Sequence, residues 1–331
     1  MHKPSYKTNF LETKTKQDLL GLKINSLELD LASSWLAPLI EKLKRELRQK
    51  HLLFTPHIWL SDDWFSPDGS AGFAIPFYLL HPRLIELEKE MMGFTEGESC
   101  QDAMKLMRHE TGHAIDNAFR LRRNKRRQVV FGLTSKPYPK SYLPDPKSKN
   151  SVRHLEDHYA QAHPDEDWAE TFSVWLTPMS RWQKTYAHWP ALEKLECLDY
   201  ILKRIQMTSA PNTKKIEVDE LESLDLTLGE YYRKKTARMR RATAPLKRIF
   251  SASSKTGTPA WKLIHQSQSD LTRLVAKNST LQHNRIKRIL IEVKRTCRQE
   301  NLHYSGDPKA SITPLISLII KEASGPRRIN M

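Results

Sequence analysis

Apolar residues recur at helical spacing along much of the chain, and short apolar runs of strand length lie between the helical segments. One amphipathic helix is predicted over about residues 31–47, where the recurring positions are Leu36, Leu39, Ile40, Leu43 and Leu47. The segment 52–60 is rich in β-branched and aromatic residues, and 72–80 is an apolar run of strand length, so both predict strands. Pro76 lies inside the second segment and favours an edge strand, because proline cannot donate to a ladder.

Further helices are predicted over about 97–119 and 181–206, and residues 84–92 are either a short helix or an extended entry segment. Another should begin at Pro164, since the first helical position needs no hydrogen bond to its nitrogen, and should end before Pro178. Residues 208–254 are polar and charged, and amphipathic patterns return at 261–275, 286–293 and 315–320. We therefore predict a first domain over residues 1–207, a polar basic linker over 208–254 and a basic helical module over 255–331.

Charge divides the chain unevenly. Its 331 residues carry a formal net charge of +16, and residues 231–331 hold 22 Lys and Arg against 5 Asp and Glu. The rest of the chain is then nearly neutral, with 32 (54 − 22) basic against 33 (38 − 5) acidic residues. This imbalance predicts a polyanionic partner for residues 231–331, such as nucleic acid or an acidic surface. Aromatic residues are sparse there, which argues against stacking on single-stranded bases.

The three cysteines do not indicate structural cross-links. Cys100, Cys197 and Cys297 are odd in number and far apart in sequence, which suits neither a disulfide framework nor a CxxC metal pair. The first residues lack the apolar core of a secretory signal, and no run approaches the roughly 18 apolar residues of a membrane span. We therefore expect a cytoplasmic protein without a membrane span.

The segment His109-Glu110-Thr111-Gly112-His113 lies in one of the predicted helices. Two histidines four positions apart project from one helix face and can bind one tetrahedral Zn²⁺ through their ring nitrogens. Glu110 would then lie beside the open coordination position, where it can take a proton from an activated water and deliver it to a leaving amine. A third ligand is still required, and a helix whose polar face merely matches this pattern is the alternative.

The helix predicted from Pro164 carries two acidic residues on one face, Glu166 and Glu170. Trp168 and Phe172 supply apolar surface that would bury this helix, and buried carboxylates are costly unless a cation or a hydrogen bond satisfies them. In the zinc enzymes called gluzincins, a downstream helix supplies a glutamate ligand, and an acidic residue four positions later orients a zinc-binding histidine. That pattern implies Glu166 as ligand and Glu170 as its support. The reverse assignment and a solvated helix face remain open.

The segments RHETGHAIDNAF (108–119) and HPDEDWAETFSVWL (163–176) resemble those of a bacterial family of zinc-binding metallopeptidases of gluzincin type. More remotely, the second segment resembles the third-ligand helix of lethal-factor-type toxin peptidases. A tyrosine seven residues before the ligand glutamate faces the zinc in those toxins, and Tyr159 has that position here. The resemblance covers about residues 50–200. The 52 residues between His113 and Glu166 form a longer connection than in thermolysin-like enzymes, and their loop is a candidate cover for the cleft.

The resemblance implies an α+β, zincin-like metallopeptidase domain that hydrolyses peptide or protein substrates with Zn²⁺. Its implied ligands are His109, His113 and Glu166, with Glu110 as general base and acid and Tyr159 as stabiliser of an oxyanion. The alternative is a protein that binds nucleic acid or another polyanion through residues 231–331, with a structural or inactive zinc domain.

Several other residues keep two interpretations. Asp116 either anchors an arginine or another ligand, or lies at the surface, and the basic run 120–127 is expected to be a solvated continuation of a helix C-terminus. His154, His158 and His163 are either electrophiles near the metal or ordinary loop histidines. The strand at 72–80 either aligns an extended substrate or belongs to the core.

Overall fold

The computed structural model describes residues 9–139, 141–142, 145, 147–240, 244–251, 257–279, 286, 289–290, 293–294, 296–298, 300–324 and 327–328. Within these residues the protein is mainly helical with small sheets. The helices are α1 (Asn9–Glu12), α2 (Lys16–Gly21), α3 (Ala37–Gln49), α4 (Pro82–Met92), α5 (Cys100–Phe119), α6 (Lys125–Phe131), α7 (Pro164–Leu176), α8 (Trp182–Thr185), α9 (Ala191–Lys203), α10 (Leu228–Arg240), α11 (Ala260–Gln266), α12 (Gln268–Lys277) and α13 (Pro308–Ser324).

The strands are short. They are β1 (His57–Ser61), β2 (Gly72–Pro76), β3 (Ser141–Tyr142), β4 (Thr258–Pro259), β5 (His303–Tyr304) and β6 (Arg327–Arg328). Turns of 3₁₀-helix lie at Ile24–Ser26, Phe77–Leu80, Leu121–Arg123, Glu156–Gln161, Leu221–Ser223 and Ala244–Arg248. This mixture of helices and small sheets is consistent with an α+β metallopeptidase domain.

The strand predicted over 72–80 is only half as long as expected. β2 pairs in parallel with β1 and ends at Pro76, and the chain then turns through the 3₁₀-helix Phe77–Leu80. Proline cannot continue the ladder because it has no N–H group. On its other side, β2 receives a single bridge in which the Ala74 amide donates to the carbonyl of Phe65. β2 is buried along its whole length, as a core strand is.

The two helices that carry the candidate ligands pack closely against each other. A Cβ atom placed on Gly112 of α5 would lie 2.8 Å from the Cα of Ala169 and 3.1 Å from its carbonyl oxygen, both in α7. The Trp168 indole N–H of α7 donates to the carbonyl of Gly112 at 3.0 Å. Glycine is therefore required where the two helices cross, because any side chain would push the α7 backbone away.

The chain forms two compact units. The first comprises residues 1–85, 96–227 and 328–331, and the second comprises 86–95 and 228–327. In the first unit, residues 212–226 are held by backbone hydrogen bonds, for example from Ala71 N to the Lys214 carbonyl and from Ile24 N to the Leu226 carbonyl. Whether 208–254 links two independently folding domains, 1–207 and 255–331, stays a prediction.

The second unit has an apolar core of its own. Leu246, Phe250, Ile264, Leu271 and Leu290 belong to it and are all buried. The helical pattern predicted over 261–275 is present as α11 and α12, and that over 315–320 lies within α13. The pattern at 286–293 falls partly outside the described residues. No helix in the described part of the chain is both long enough and apolar enough to cross a bilayer.

Candidate metal centre

Helix α5 presents His109, Glu110 and His113 from its buried middle. Its first turn is capped by the hydroxyl of Ser99, which accepts from the Asp102 amide at 3.0 Å. The position before the motif is tied to α3, because Arg108 donates from Nε and Nη2 to the two carboxylate oxygens of Glu46 at 2.8 and 2.7 Å. Helix α5 is therefore held in place at its first turn and at Arg108, the residue that precedes His109.

Helix α7 begins as the sequence predicted, with Pro164 at its first position. His163 caps it, since its Nδ1 accepts from the Asp165 amide at 3.1 Å. Three acidic residues occupy the first turn, where the positive end of the helix dipole favours them. Glu166 is one of these three residues, and Glu170 lies one turn further along the helix. Both are buried.

The structure brings one side chain of α7 and two of α5 to a single point. Nε2 of His109 lies 3.0 Å from Oε2 of Glu166, Nε2 of His113 lies 3.3 Å from the same oxygen, and the two Nε2 atoms are 3.2 Å apart. Ligand atoms bound tetrahedrally to Zn²⁺ lie about 3.3–3.5 Å from one another, given metal–ligand bonds of about 2.0–2.2 Å. This donor set of two imidazoles and one carboxylate fits zinc, and the three residues could hold a metal ion.

Glu170 lies behind this cluster. Its Oε1 is 2.9 Å from Nδ1 of His109, and its Oε2 accepts from the Leu155 amide at 2.8 Å. An ionised carboxylate can only accept, so Nδ1 of His109 carries a proton, which leaves Nε2 as the nitrogen that a metal ion could bind. The geometry therefore turns the first histidine toward the point shared with His113 and Glu166.

Burial and close charges act against each other on these groups. Burial lowers the pKa of His109, but the hydrogen bonds to Glu166 and Glu170 outweigh it and hold this pKa well above its ordinary value. Burial tends to raise the pKa of Glu166, yet His113 and His109 hold it well below its usual range. The buried carboxylates of this cluster need positive charge close to them, which protonated histidines or a bound cation can supply.

Glu110 is buried beside the cluster, and burial raises its pKa although His109 and His113 oppose the change. A carboxyl group with a raised pKa is suited to accept and return a proton near neutral pH. The ring of Tyr159, in the 3₁₀-helix Glu156–Gln161, lies 5.7 Å from the ring of His109, centroid to centroid. Both residues predicted to take part in catalysis thus lie next to the same imidazole.

The sequence interpretation missed one tyrosine of the site. The O–H group of Tyr138 donates to Oε1 of Glu166 at 2.9 Å, and its ring stacks on that of His163 at 3.7 Å. Burial and the nearby Glu166 carboxylate raise the pKa of Tyr138 well above its usual value. The only signal was the long connection between His113 and Glu166, whose loop was a candidate cover for the cleft.

The basic run after α5 is not wholly solvated, so that expectation is wrong for two of its residues. Arg127 is fully buried, and its Nη2 bonds to Asp116 Oδ2 at 2.7 Å and to Asp165 Oδ1 at 3.0 Å. Arg122 also reaches Asp116, at 3.3 Å. Asp116 thus anchors arginines, as one of its two interpretations predicted. Because Asp116 belongs to α5 and Asp165 to α7, Arg127 joins the two helices that carry the candidate ligands.

The other histidines considered from the sequence have different surroundings. His154 lies with its Nε2 3.0 Å from the carbonyl oxygen of Lys105. His163 caps α7 as described, and its Nε2 is 2.7 Å from the Lys136 carbonyl. His158 has a left-handed backbone, with φ of 54°. Within the described residues, the group of side chains that could hold a metal ion contains none of the three.

Two helices that share a buried cluster of two histidines and a glutamate form a candidate metal site in a mainly helical protein with small sheets. Residues 88–240 match the model of the family described as "Putative zinc-binding metallo-peptidase", which confirms the resemblance predicted from the two helical segments. The match contains both helices of the site and the tyrosines beside it. No curated protein and no solved structure shows significant similarity to the chain.

Proposed function

We propose that this protein is a zinc-dependent peptidase that hydrolyses peptide bonds. The observation that carries the proposal is the donor set of His109, His113 and Glu166, whose ligand atoms lie 3.0 to 3.3 Å apart. These separations suit tetrahedral zinc, and a buried carboxylic acid, Glu110, lies beside them. The family match supports a zinc-binding hydrolase in general. The mechanism of peptide hydrolysis is our inference.

In this proposal the three residues hold the metal, and Glu170 keeps His109 in the tautomer that can bind it. When bound, Zn²⁺ supplies Lewis acidity, which lowers the pKa of a water molecule and polarises a substrate carbonyl. Glu110 takes the proton from the attacking water and returns it to the leaving amine. Tyr159 donates its O–H to the oxygen of the substrate carbonyl as negative charge develops there.

The ligand assignment is tested by the zinc content of the purified full-length protein. We expect about one zinc per chain in the wild type and almost none in His113→Ala or Glu166→Ala, because each removes a ligand. Glu170→Ala should keep zinc with an affinity about 10–100-fold lower, because it removes only the support of a ligand. Loss of zinc from Glu170→Ala, together with retention by Glu166→Ala, would establish the reverse assignment.

The hydrolytic role is tested with Glu110→Gln, which preserves size while it removes the proton acceptor. A degenerate peptide mixture is incubated with each protein, and new amino termini are counted by mass spectrometry. We expect Glu110→Gln to keep its zinc and to lose about 10²–10⁴-fold in rate, the usual contribution of a general base. Undiminished cleavage by this variant would contradict the proposed mechanism.

A second candidate function is binding of nucleic acid or another polyanion through residues 231–331. The charge of this region supports it, with 22 basic against 5 acidic residues. Two of the acids are already engaged, Asp270 by Arg273 and Glu300 by Lys247. The full-length protein should shift duplex DNA at low salt, with an affinity that falls steeply as salt rises. Absence of a shift at low salt would exclude binding of duplex DNA.

A further inference from the structure

The two oxygens of the Glu166 carboxylate have different partners. Oε2 faces the two imidazole nitrogens, at 3.0 Å from His109 and 3.3 Å from His113. Oε1 accepts the O–H of Tyr138 at 2.9 Å. A phenol is neutral near pH 7 and a carboxylate can only accept, so the direction of this hydrogen bond is fixed.

Tyr138 is held in place by its neighbours in sequence and in space. It lies between Pro137 and Pro139, and a residue that precedes proline is restricted to extended conformations. Its ring stacks on the ring of His163 with an angle of 17° between the planes. The phenol therefore has few alternative positions, and little entropy is lost when it binds Glu166.

His163 is itself fixed by two backbone groups. Its Nδ1 must accept, because the partner is the Asp165 amide, and its Nε2 must donate, because the partner is the Lys136 carbonyl. One imidazole thus caps α7, holds the chain just before Tyr138 and supports the phenol ring. The loop and the start of the helix that carries Glu166 form a single hydrogen-bonded unit.

We propose that Tyr138 is a positioning residue that restricts Glu166 to binding the metal through Oε2 alone. A carboxylate with both oxygens unoccupied can bind a cation through both, which would fill the coordination position that a catalytic zinc site keeps open. The hydrogen bond from Tyr138 engages Oε1 and keeps that position available for water. This inference rests on the proposed zinc site and adds a residue that determines its coordination number.

The test uses the full-length protein and the variant Tyr138→Phe, which keeps the ring on His163 and removes only the hydroxyl group. Tyr200→Phe is the matched control, because Tyr200 is an exposed tyrosine of α9. Zinc affinity is measured by competition with a chromogenic chelator. Cobalt(II) replaces zinc for a visible spectrum, whose intensity falls when coordination expands from four to five.

We expect Tyr138→Phe to bind zinc about 10–100-fold more weakly than the wild type, as is usual when a partner of a metal ligand is removed. Its cobalt spectrum should be weaker, and Tyr200→Phe should match the wild type in both measurements. The urea unfolding of the metal-free variant serves as a folding control.

The possible results separate this inference from the proposed function. If the wild type takes up no zinc, the proposed function fails and this inference fails with it. If the wild type binds zinc and Tyr138→Phe has the same affinity and the same cobalt spectrum, only the role of Tyr138 is overturned. A lower affinity with an unchanged cobalt spectrum would also overturn it, because a general loss of packing would explain that result.

Discussion

Replacing Gly112 by alanine tests whether the close contact of α5 and α7 supports the candidate metal centre. The added Cβ would lie 2.8 Å from Ala169 Cα, 3.1 Å from its carbonyl oxygen and 3.2 Å from Phe172 Cβ. Carbon atoms in good contact are about 3.5–4.0 Å apart, so α7 must move away by roughly 0.7–1 Å. Two of the three neighbours are backbone atoms, and rotation of a side chain cannot relieve the contact.

The magnitude follows from two opposing effects. Alanine favours a helix over glycine by about 1 kcal/mol, whereas overpacking of a well-packed interior costs about 1–3 kcal/mol. We therefore expect Gly112→Ala to lower the free energy of unfolding of the metal-free protein by about 0–2 kcal/mol. Gly21→Ala is the control, because a Cβ at the last residue of α2 would meet no atom within 4 Å. That variant should be neutral or slightly more stable.

Urea unfolding of both variants measures the stability, and competition with a chelator measures the zinc affinity. Movement of α7 would carry Glu166 away from the two histidines, so zinc binding by Gly112→Ala should weaken at least tenfold, in the range typical of disturbed metal sites. An unfolding midpoint and a zinc affinity equal to those of the wild type would refute the argument. A loss of stability of the same size in Gly21→Ala would refute it as well, since that substitution touches nothing.

Two further predictions concern buried polar groups. Arg127→Met leaves the buried carboxylates of Asp116 and Asp165 with Arg122 as their remaining cation. It should lower the free energy of unfolding by about 1.5–3 kcal/mol near neutral pH, because charged hydrogen bonds are lost. The exposed Arg123→Met is the control and should change it by less than about 0.5 kcal/mol. Burial already raises the pKa of Asp116, and removal of the arginine raises it further, so the loss of stability should shrink as pH falls and Asp116 becomes protonated. A loss of stability that is constant with pH would contradict this reasoning. In a thiol assay at about pH 8, only Cys100 should react in the folded protein, because burial raises the pKa of Cys297 to about 12 and leaves roughly one part in ten thousand as thiolate. Rapid reaction of more than one thiol before unfolding would show that the buried cysteines are accessible.

The elements that carry the site could be predicted from the sequence, because their signals are local. The bounds of α7 follow from Pro164 at its start and Pro178 after its end, and those of α5 from helical periodicity around the histidine pair. The pairing of Glu166 with the histidines followed from family resemblance together with the cost of burying acids on an apolar helix. The cytoplasmic location and the binding of nucleic acid stay predictions.

The residues that sequence reasoning missed act over long distances. Tyr138 is 28 residues from Glu166, and Arg127 is 38 residues from Asp165. A charge run beside a helix end is usually solvated, and only the packing of α6 against α7 and α9 shows that Arg127 is buried. The length of β2 was misjudged for a related reason, since GFAIPFYLL is uniformly apolar and its change of conformation at Pro76 leaves no trace in hydrophobicity.

The separation of the candidate ligands along the chain has a consequence for how the protein would acquire its metal. The two histidines belong to one helical turn, whereas Glu166 follows His113 only after 52 intervening residues. The complete site therefore exists only once the long loop between His113 and Glu166 has closed. Packing of α7 on α5 must offset the entropy lost on loop closure before the third ligand can bind the metal. In a refolding experiment with zinc present, the docking of α7 on α5 should set the rate of tight zinc uptake. An ion held earlier, by the histidine pair alone, would exchange readily with other chelators in the cell.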